Sequence, residues 1–192
     1  KCSRNFYDES VHIRDTKLIA ANRGYEALMA TLKPTAKIPG KKAAIIGGGP
    51  TGIAAAYFLA RGGVDTTIFE REEKLGGVPR YVIPAFRIPD EAIDKDISIM
   101  ERLGVTVKCG APAPSVEELK KQGYTHILMA TGAWQAGELG IPGNVKGVIG
   151  WMKEMKTQVK PCLEGHVVVV GAGNTAMDAA RVAKRMGAAS ST

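Results

Sequence analysis

Apolar positions along this chain alternate between a helical and a strand spacing, and the changes of period mark the expected elements. Residues 1–33 read as helical, with Asp8-Glu9-Ser10 as cap and first-turn acids and Val11, Leu18, Ile19 and Leu28 as apolar anchors. Asn22-Arg23-Gly24 is expected to divide that stretch into two helices. Lys33-Pro34 to Gly40 has the composition of a linker. A strand over Ala43–Ile46 leads into a glycine loop, an alanine-rich helix from Ile53 to Arg61, a stop at Gly62-Gly63 and a second strand over Asp65–Phe69. This is a βαβ unit. The segment from Gly76 to Pro89 is too rich in Gly and Pro to read as helix. Asp90–Leu103 returns to helix, with Ile93, Ile97, Met100 and Leu103 on one face. A short strand over Val105–Val107 follows, then a capping box Ser115-x-x-Glu118 before Leu119. Tyr124–Ala130 reads as a buried strand closed by Thr131-Gly132, and Ile141-Pro142-Gly143 as a domain junction. A helix near Trp151–Val159 precedes a second strand–loop–helix: Val167–Val170, a glycine loop from Gly171, and a helix to Met186.

The two glycine loops are an internal repeat. Gly47, Gly49, Gly52, Ala56 and Gly63 in the first correspond to Gly171, Gly173, Ala176, Ala180 and Gly187 in the second. Such a spacing is weak evidence alone. Between a strand and a helix it is the fingerprint of a dinucleotide site. The first glycine permits the tight turn, the second lets backbone approach a pyrophosphate, and the third lets helix and strand pack closely. Alanine at the third position is a tolerated variant. Glu70 ends the strand after the first loop, about 20 residues beyond the middle glycine, where an acid can accept both ribose hydroxyls. The helix N-termini add free N–H groups and positive potential for a diphosphate. Asn174 and Thr175 offer polar contacts at the second loop. Asp178 reads either as a charge favouring its helix or as a buried polar contact, and no chemistry is assigned to it.

Composition narrows the picture. At 192 residues, 45% hydrophobic and 23% charged, the chain is ordinary globular sequence of one or two domains. The net charge of +7 is scattered rather than interleaved with aromatics, so nucleic-acid binding is not expected. No apolar stretch approaches the ~20 residues of a membrane span, and no membrane partner is expected. Cys2, Cys109 and Cys162 are few and far apart, which fits a reducing cytoplasm and excludes a Cys-x-x-Cys redox centre. His12, His126 and His166 lack oriented partners in sequence, so no catalytic acid–base group and no metal site is expected. Two dinucleotide loops in one chain suggest hydride passing from one nucleotide to another, a reaction that positioning alone can support.

Several segments together carry a family likeness: Gly47 to Gly52, Phe69-Glu70-Arg71, Gly76-Gly77, Ile83-Pro84-Ala85-Phe86-Arg87-Ile88-Pro89, Ala130-Thr131-Gly132 and Gly171 to Asp178. Over nearly its whole length the chain resembles the glutamate synthase small-subunit family of NAD(P)H/FAD oxidoreductases. The flavin/NADPH half of dihydropyrimidine dehydrogenase is similar. The opening Tyr7-Asp8-Glu9-Ser10-Val11 with Ile13-Arg14 is similar to iron–sulfur subunits described as selenate reductases. The Ile-Pro-x-Phe-Arg-x-Pro segment is more specific than either glycine loop.

The resemblance implies an α/β fold: an FAD-type Rossmann domain, a parallel sheet with helices on both faces, followed by the start of an NAD(P)-binding Rossmann domain. In residue terms this is a helical arm and linker over 1–40, an incomplete FAD domain over 41–140 and a truncated NAD(P)H domain over 141–192. FAD is expected at Gly47, Gly48, Gly49, Pro50, Thr51, Gly52, Glu70, Arg71, Gly77, Val78 and Arg87, with Val107 near the adenine and Thr131-Gly132 near the pyrophosphate. NADPH, or NADH, is expected at Gly171, Gly173, Asn174, Thr175 and Ala176. Arg87 also sits in a Pro-flanked loop where its guanidinium could answer flavin or phosphate charge. Electrons would pass from FAD to iron–sulfur clusters of a partner domain or subunit. Cys2 alone cannot hold a cluster that needs four thiolates, and is either a remnant of such a module or a free thiol. A start at Lys1 and a stop where a further strand should begin lead to the expectation of a fragment of a longer protein. Two alternatives remain. One is another two-nucleotide flavoenzyme, such as a monooxygenase, revealed by oxygen consumption. The other is a non-catalytic dinucleotide-binding module.

Overall fold

The computed structural model describes residues 2–135, 137, 140–143 and 145–192. A short 3-10 turn, Ser3–Phe6, precedes helix α1, Ile13–Thr31. Strand β1 (Lys42–Ile46) feeds helix α2 (Pro50–Arg61), which returns to strand β2 (Asp65–Phe69). One turn of helix, α3 (Val78–Tyr81), and helix α4 (Asp90–Arg102) lead to strand β3 (Thr106–Lys108). Helix α5 (Val116–Lys121) and strand β4 (His126–Met129) complete a four-stranded sheet. Helix α6 (Val148–Thr157), strand β5 (His166–Val167), helix α7 (Asn174–Arg185) and strand β6 (Ser190–Ser191) form the second strand–helix–strand repeat.

The main sheet is wholly parallel with strand order β3-β2-β1-β4, so β1 and β2 are central. Side-chain alternation sends their residues to opposite faces. Ile45 and Ile68 join Ala56 and Ala60 of α2 and Met100 of α4 on one face, while Ala44 and Phe69 meet Leu119 of α5 and Tyr124 on the other. Helices therefore cover both faces, as a parallel sheet requires. The second sheet pairs β5 with β6 in parallel. The predicted α/β class with its βαβ unit is the observed fold, and Ser190-Ser191 does begin a strand, as expected.

Four local expectations are corrected. First, Gly24 lies inside α1, which runs unbroken through Asn22-Arg23-Gly24. One interior glycine costs only about 1 kcal/mol relative to alanine, too little to stop a helix that has already nucleated. Second, the supposed anchors Val11, Leu18, Ile19 and Leu28 are exposed. The helix touches the body near its C-terminal end, where Tyr25 Oη lies 2.7 Å from Ser98 Oγ on α4 and Leu32 packs on the core. Third, β4 is an edge strand rather than a buried one, with Met129 60% exposed, because its only sheet neighbour among the described residues is β1. Fourth, α3 interrupts the stretch that composition reads as irregular, and β5 stops at Val167, short of Val170.

The capping box forms as predicted. Ser115 Oγ accepts from the Glu118 N–H, and Glu118 Oε2 accepts from the Ser115 N–H at 2.8 Å. These bonds hold the Glu118 carboxyl below the ordinary carboxylate range. A lowered folded-state value means stabilisation that is complete above the ordinary Glu range and lost as pH falls through the lowered one. Glu118→Ala, which removes the acceptor of the Ser115 N–H, is therefore expected to lower the melting temperature at pH 7. Melting curves from pH 7 down to pH 3 should show the gap from wild type closing on acidification. A gap independent of pH would rule the carboxylate out.

Candidate functional site

The C-terminal ends of β1 and β2 converge on the first glycine loop. Gly47 takes φ +108°, and its N–H donates to Phe69 O at 2.8 Å, tying the loop to β2. A Cβ on Gly47 would stand 2.3 Å from Ala130 O, so the residues just beyond β4 press directly on this turn. Gly52, in the first turn of α2, would put a Cβ 2.0 Å from Gly47 O. These two glycines serve the turn and the helix packing. Gly49, the N-cap of α2, has extended backbone (φ −78°, ψ −174°) and only Gly77 Cα near a built Cβ, at 3.8 Å. Gly77 (φ +56°) would bring its own Cβ 2.8 Å from Gly49 Cα. Gly49 and Gly77 thus approach each other backbone to backbone at the head of α2, where no side chain caps the helix.

Glu70, 7% exposed, lies against the same loop. Its Oε2 accepts the Gly48 N–H at 2.6 Å and its Oε1 the Glu72 N–H at 2.9 Å. Gly76 N–H donates to Gly48 O at 2.8 Å, which binds the Gly76-Gly77 segment to the loop. Ala130 N–H donates to Ile46 O, and this carries Thr131-Gly132 to the same sheet edge. The Arg71 guanidinium lies 5.3 Å from the Trp134 ring centre. Of the residues expected at the first cofactor, Gly47, Gly48, Gly49, Pro50, Thr51, Gly52, Glu70, Arg71, Gly77, Thr131 and Gly132 are thus gathered at one end of the sheet. Val78 opens α3 and packs towards the second repeat, while Val107 pairs with Ile68 in the sheet and leans on its core.

Arg87 is placed differently. Its Nε donates to Asp178 Oδ1 on α7 at 2.6 Å, which resolves Asp178 as a largely buried ionic contact. The second loop repeats the first in outline. Gly171 takes φ +139°, Gly173 is the N-cap of α7 without side-chain capping, and Asn174, Thr175 and Ala176 form its first turn. A Cβ on Gly173 would meet nothing within 4 Å.

The fastenings between the two repeats escaped the sequence reading. Lys153 on α6 donates to Glu72 Oε1 at 2.6 Å, and Lys156 donates to Ile83 O at 2.7 Å. Burial draws the Lys156 ammonium below the usual lysine range. Val82 shares a core with Met152, Met155, Ala179 and Val182. The Ile83–Pro89 segment therefore works as a strap under α6 and α7. Apolar residues at helical spacing on α6 hinted at a packed face, but nothing in sequence names partners this far away. His126 pairs with Thr125, His166 with Ser190, and His12 stands exposed between Glu9 and Asp15. Among the described residues there is no cluster of His, Cys, Asp or Glu that could hold a metal, and no helix is long and apolar enough to cross a membrane.

A parallel sheet covered on both faces, whose central strand enters a helix through a glycine loop beside a buried acid, defines a Rossmann-type α/β fold. Residues 41–191 match the pyridine nucleotide-disulphide oxidoreductase family, and the chain belongs to it. It is 40% identical over 190 residues to YgfK of Escherichia coli (strain K12), covering 96% of this chain and 18% of that one. It is 37% identical over 206 residues to the NADPH-Fe(3+) oxidoreductase subunit beta of Geobacter sulfurreducens (strain ATCC 51573 / DSM 12127 / PCA), covering 100% and 30%. The chain thus spans less than a third of either relative. A glutamate synthase [NADPH] small chain is also among the relatives, which bears out the resemblance read from sequence. Among solved structures, FprA of Mycobacterium tuberculosis in complex with NADPH aligns with a TM-score of 0.59 at 21% identity, over 73% of this chain and 36% of that one, and shares its fold. The three cysteines are free, and no two are spaced as Cys-x-x-Cys.

Proposed function

We propose that residues 41–140 hold FAD at the first loop, that residues 141–192 open an NAD(P)H-binding unit at the second, and that the pair serves electron transfer from NAD(P)H to a partner. The observation that carries this reading is the duplicated glycine loop, each copy joining a parallel strand to an uncapped helix N-terminus. Bound there, a flavin would accept hydride from a reduced nicotinamide and release electrons singly.

The chain's own groups supply binding and orientation. Gly49, which carries no side chain, admits a pyrophosphate to the backbone of α2, whose first-turn N–H groups favour its charge. Glu70 lies where ribose hydroxyls can donate to its carboxylate, already fixed by the Gly48 and Glu72 N–H groups. Thr131 adjoins the same loop, with its N 3.1 Å from a Cβ built on Gly47. Asn174 and Thr175 offer the second loop's polar contacts to a nicotinamide dinucleotide. The strap and the two α6 lysines hold the repeats together, and this fixed relation is what transfer between two bound nucleotides requires.

Onward delivery to an iron–sulfur domain or subunit in the cytoplasm extends the reading. It is supported by the resemblance and by a relative whose name specifies NADPH, Fe(3+) and a subunit. The test is the visible spectrum of the chain loaded with FAD, before and after NADPH under argon. Bound flavin that bleaches is the expected result. Bound flavin that does not bleach leaves a nucleotide-binding module, and no bound flavin overturns the first-loop assignment.

A further inference from the structure

Between β2 and α3 the chain passes through residues 70–77 without regular structure. Both ends of this segment hold the first loop at one residue. Glu70 Oε2 accepts the Gly48 N–H at 2.6 Å, and the Gly76 N–H donates to Gly48 O at 2.8 Å. The second oxygen of Glu70 is fixed from within the segment, by the Glu72 N–H at 2.9 Å. Glu72 is held in turn from α6, where Lys153 Nζ donates to its Oε1 at 2.6 Å. The same ammonium lies 5.4 Å from the Tyr81 ring centre and 5.6 Å from that of Trp134. Tyr81 braces the segment as well, since its hydroxyl accepts the Lys74 N–H and donates to Lys74 O. Arg71 stands farther from Glu72 Oε1, at 3.7 Å, and is more exposed than Lys153, so Lys153 is the principal counter-ion. An unbroken series of hydrogen bonds thus leads from Lys153 through Glu72 and Glu70 to the backbone of Gly48. Docking of α6 does not itself depend on this lysine, because Met152 and Met155 are buried beside Val82.

We infer that Lys153 is a positioning residue for the first loop, which acts through Glu72 and Glu70 to hold the Gly48 N–H in place. The lysine touches neither the loop nor its ligand. It restrains Glu72, whose N–H sets one oxygen of Glu70, and the other oxygen sets the loop. It also neutralises the Glu72 carboxylate, which would otherwise add negative charge beside a loop that is to receive an anion. The order of the first loop then depends on a residue of the second repeat. The consequence for cofactor affinity rests on the FAD reading above.

The test is amide hydrogen exchange of the flavin-free chain, followed by NMR, with FAD titration of the same samples. Lys153→Met keeps an apolar stem against the two rings, so the melting temperature should stay close to wild type. Exchange at the Gly48 and Glu72 N–H groups should quicken about tenfold, with the central-strand amides of Ile45 and Ile68 unchanged. FAD affinity should fall about fivefold. Lys153→Arg should recover most of both losses. Glu72→Gln should quicken the same two amides, and adding Lys153→Met to it should add little, because the lysine acts through Glu72. Unchanged exchange at Gly48 and Glu72 in Lys153→Met overturns the inference, as does a rise shared equally by Ile45 and Ile68. Wild-type FAD affinity in a Lys153→Met chain with loosened amides overturns the positioning role. Loosened amides in a chain whose wild type binds no FAD support the coupling and overturn the FAD reading alone.

Discussion

Gly49→Leu should lower FAD affinity about a hundredfold, equivalent to about 2.7 kcal/mol, and leave the flavin-free protein folded. The loop glycines look alike in sequence but differ in what confines them. Gly49 has ordinary extended backbone, and a Cβ there would be in normal contact with Gly77 alone. A larger side chain there stands in the path by which a pyrophosphate would approach the head of α2. Gly52→Ala is the opposite case. Its Cβ would stand 2.0 Å from a backbone carbonyl at the crossing of α2 and β1, where neither element can yield cheaply. That variant should lose about 3 kcal/mol of stability before any ligand is added. Thermal melting and FAD titration of the two variants separate the roles. Equal stability losses at both positions would deny Gly49 its ligand-facing role, and undiminished FAD binding in Gly49→Leu would remove the cofactor from this loop.

Glu70→Gln is expected to cost about 2 kcal/mol of stability and to weaken FAD binding as well. Both carboxylate oxygens accept backbone N–H groups, from Gly48 and Glu72, in a site only 7% exposed. A glutamine keeps the shape but offers one acceptor. Its NH2 must face the other N–H, donor against donor, and the buried amide loses its partner. The Gly48 loop then loosens just where the ribose is expected. Glu70→Asp is the useful companion, since it keeps the charge but withdraws it from the loop. Chemical denaturation with and without FAD reads both effects. A fully stable Glu70→Gln protein would show that the N–H bond it loses contributes nothing.

Much of the first site was legible because its elements are local. The strand, the glycine spacing, the alanine at 56 and the acid at the end of β2 lie within one βαβ unit, where hydrogen bonding and steric fit fix the geometry. The capping box at Ser115 and Glu118 was legible for the same reason. Elements whose state depends on distant partners were misread. The apolar residues of α1 suggested a packed face, yet burial requires an opposing surface, and most of that helix has none among the described residues. The Tyr124–Ala130 stretch has strand character, but strand order decides whether such a strand is central or at an edge.

Sequence alone determined the α/β class, the two glycine loops and the acid at the end of β2, since local backbone chemistry dictates them. Only the tertiary structure decided what the Ile83–Pro89 segment does, which acid Arg87 meets, and how Lys153 and Lys156 of α6 bind the first repeat. Those contacts join residues 73 to 91 positions apart. No periodicity records such pairings, because they exist only once the two repeats have packed together.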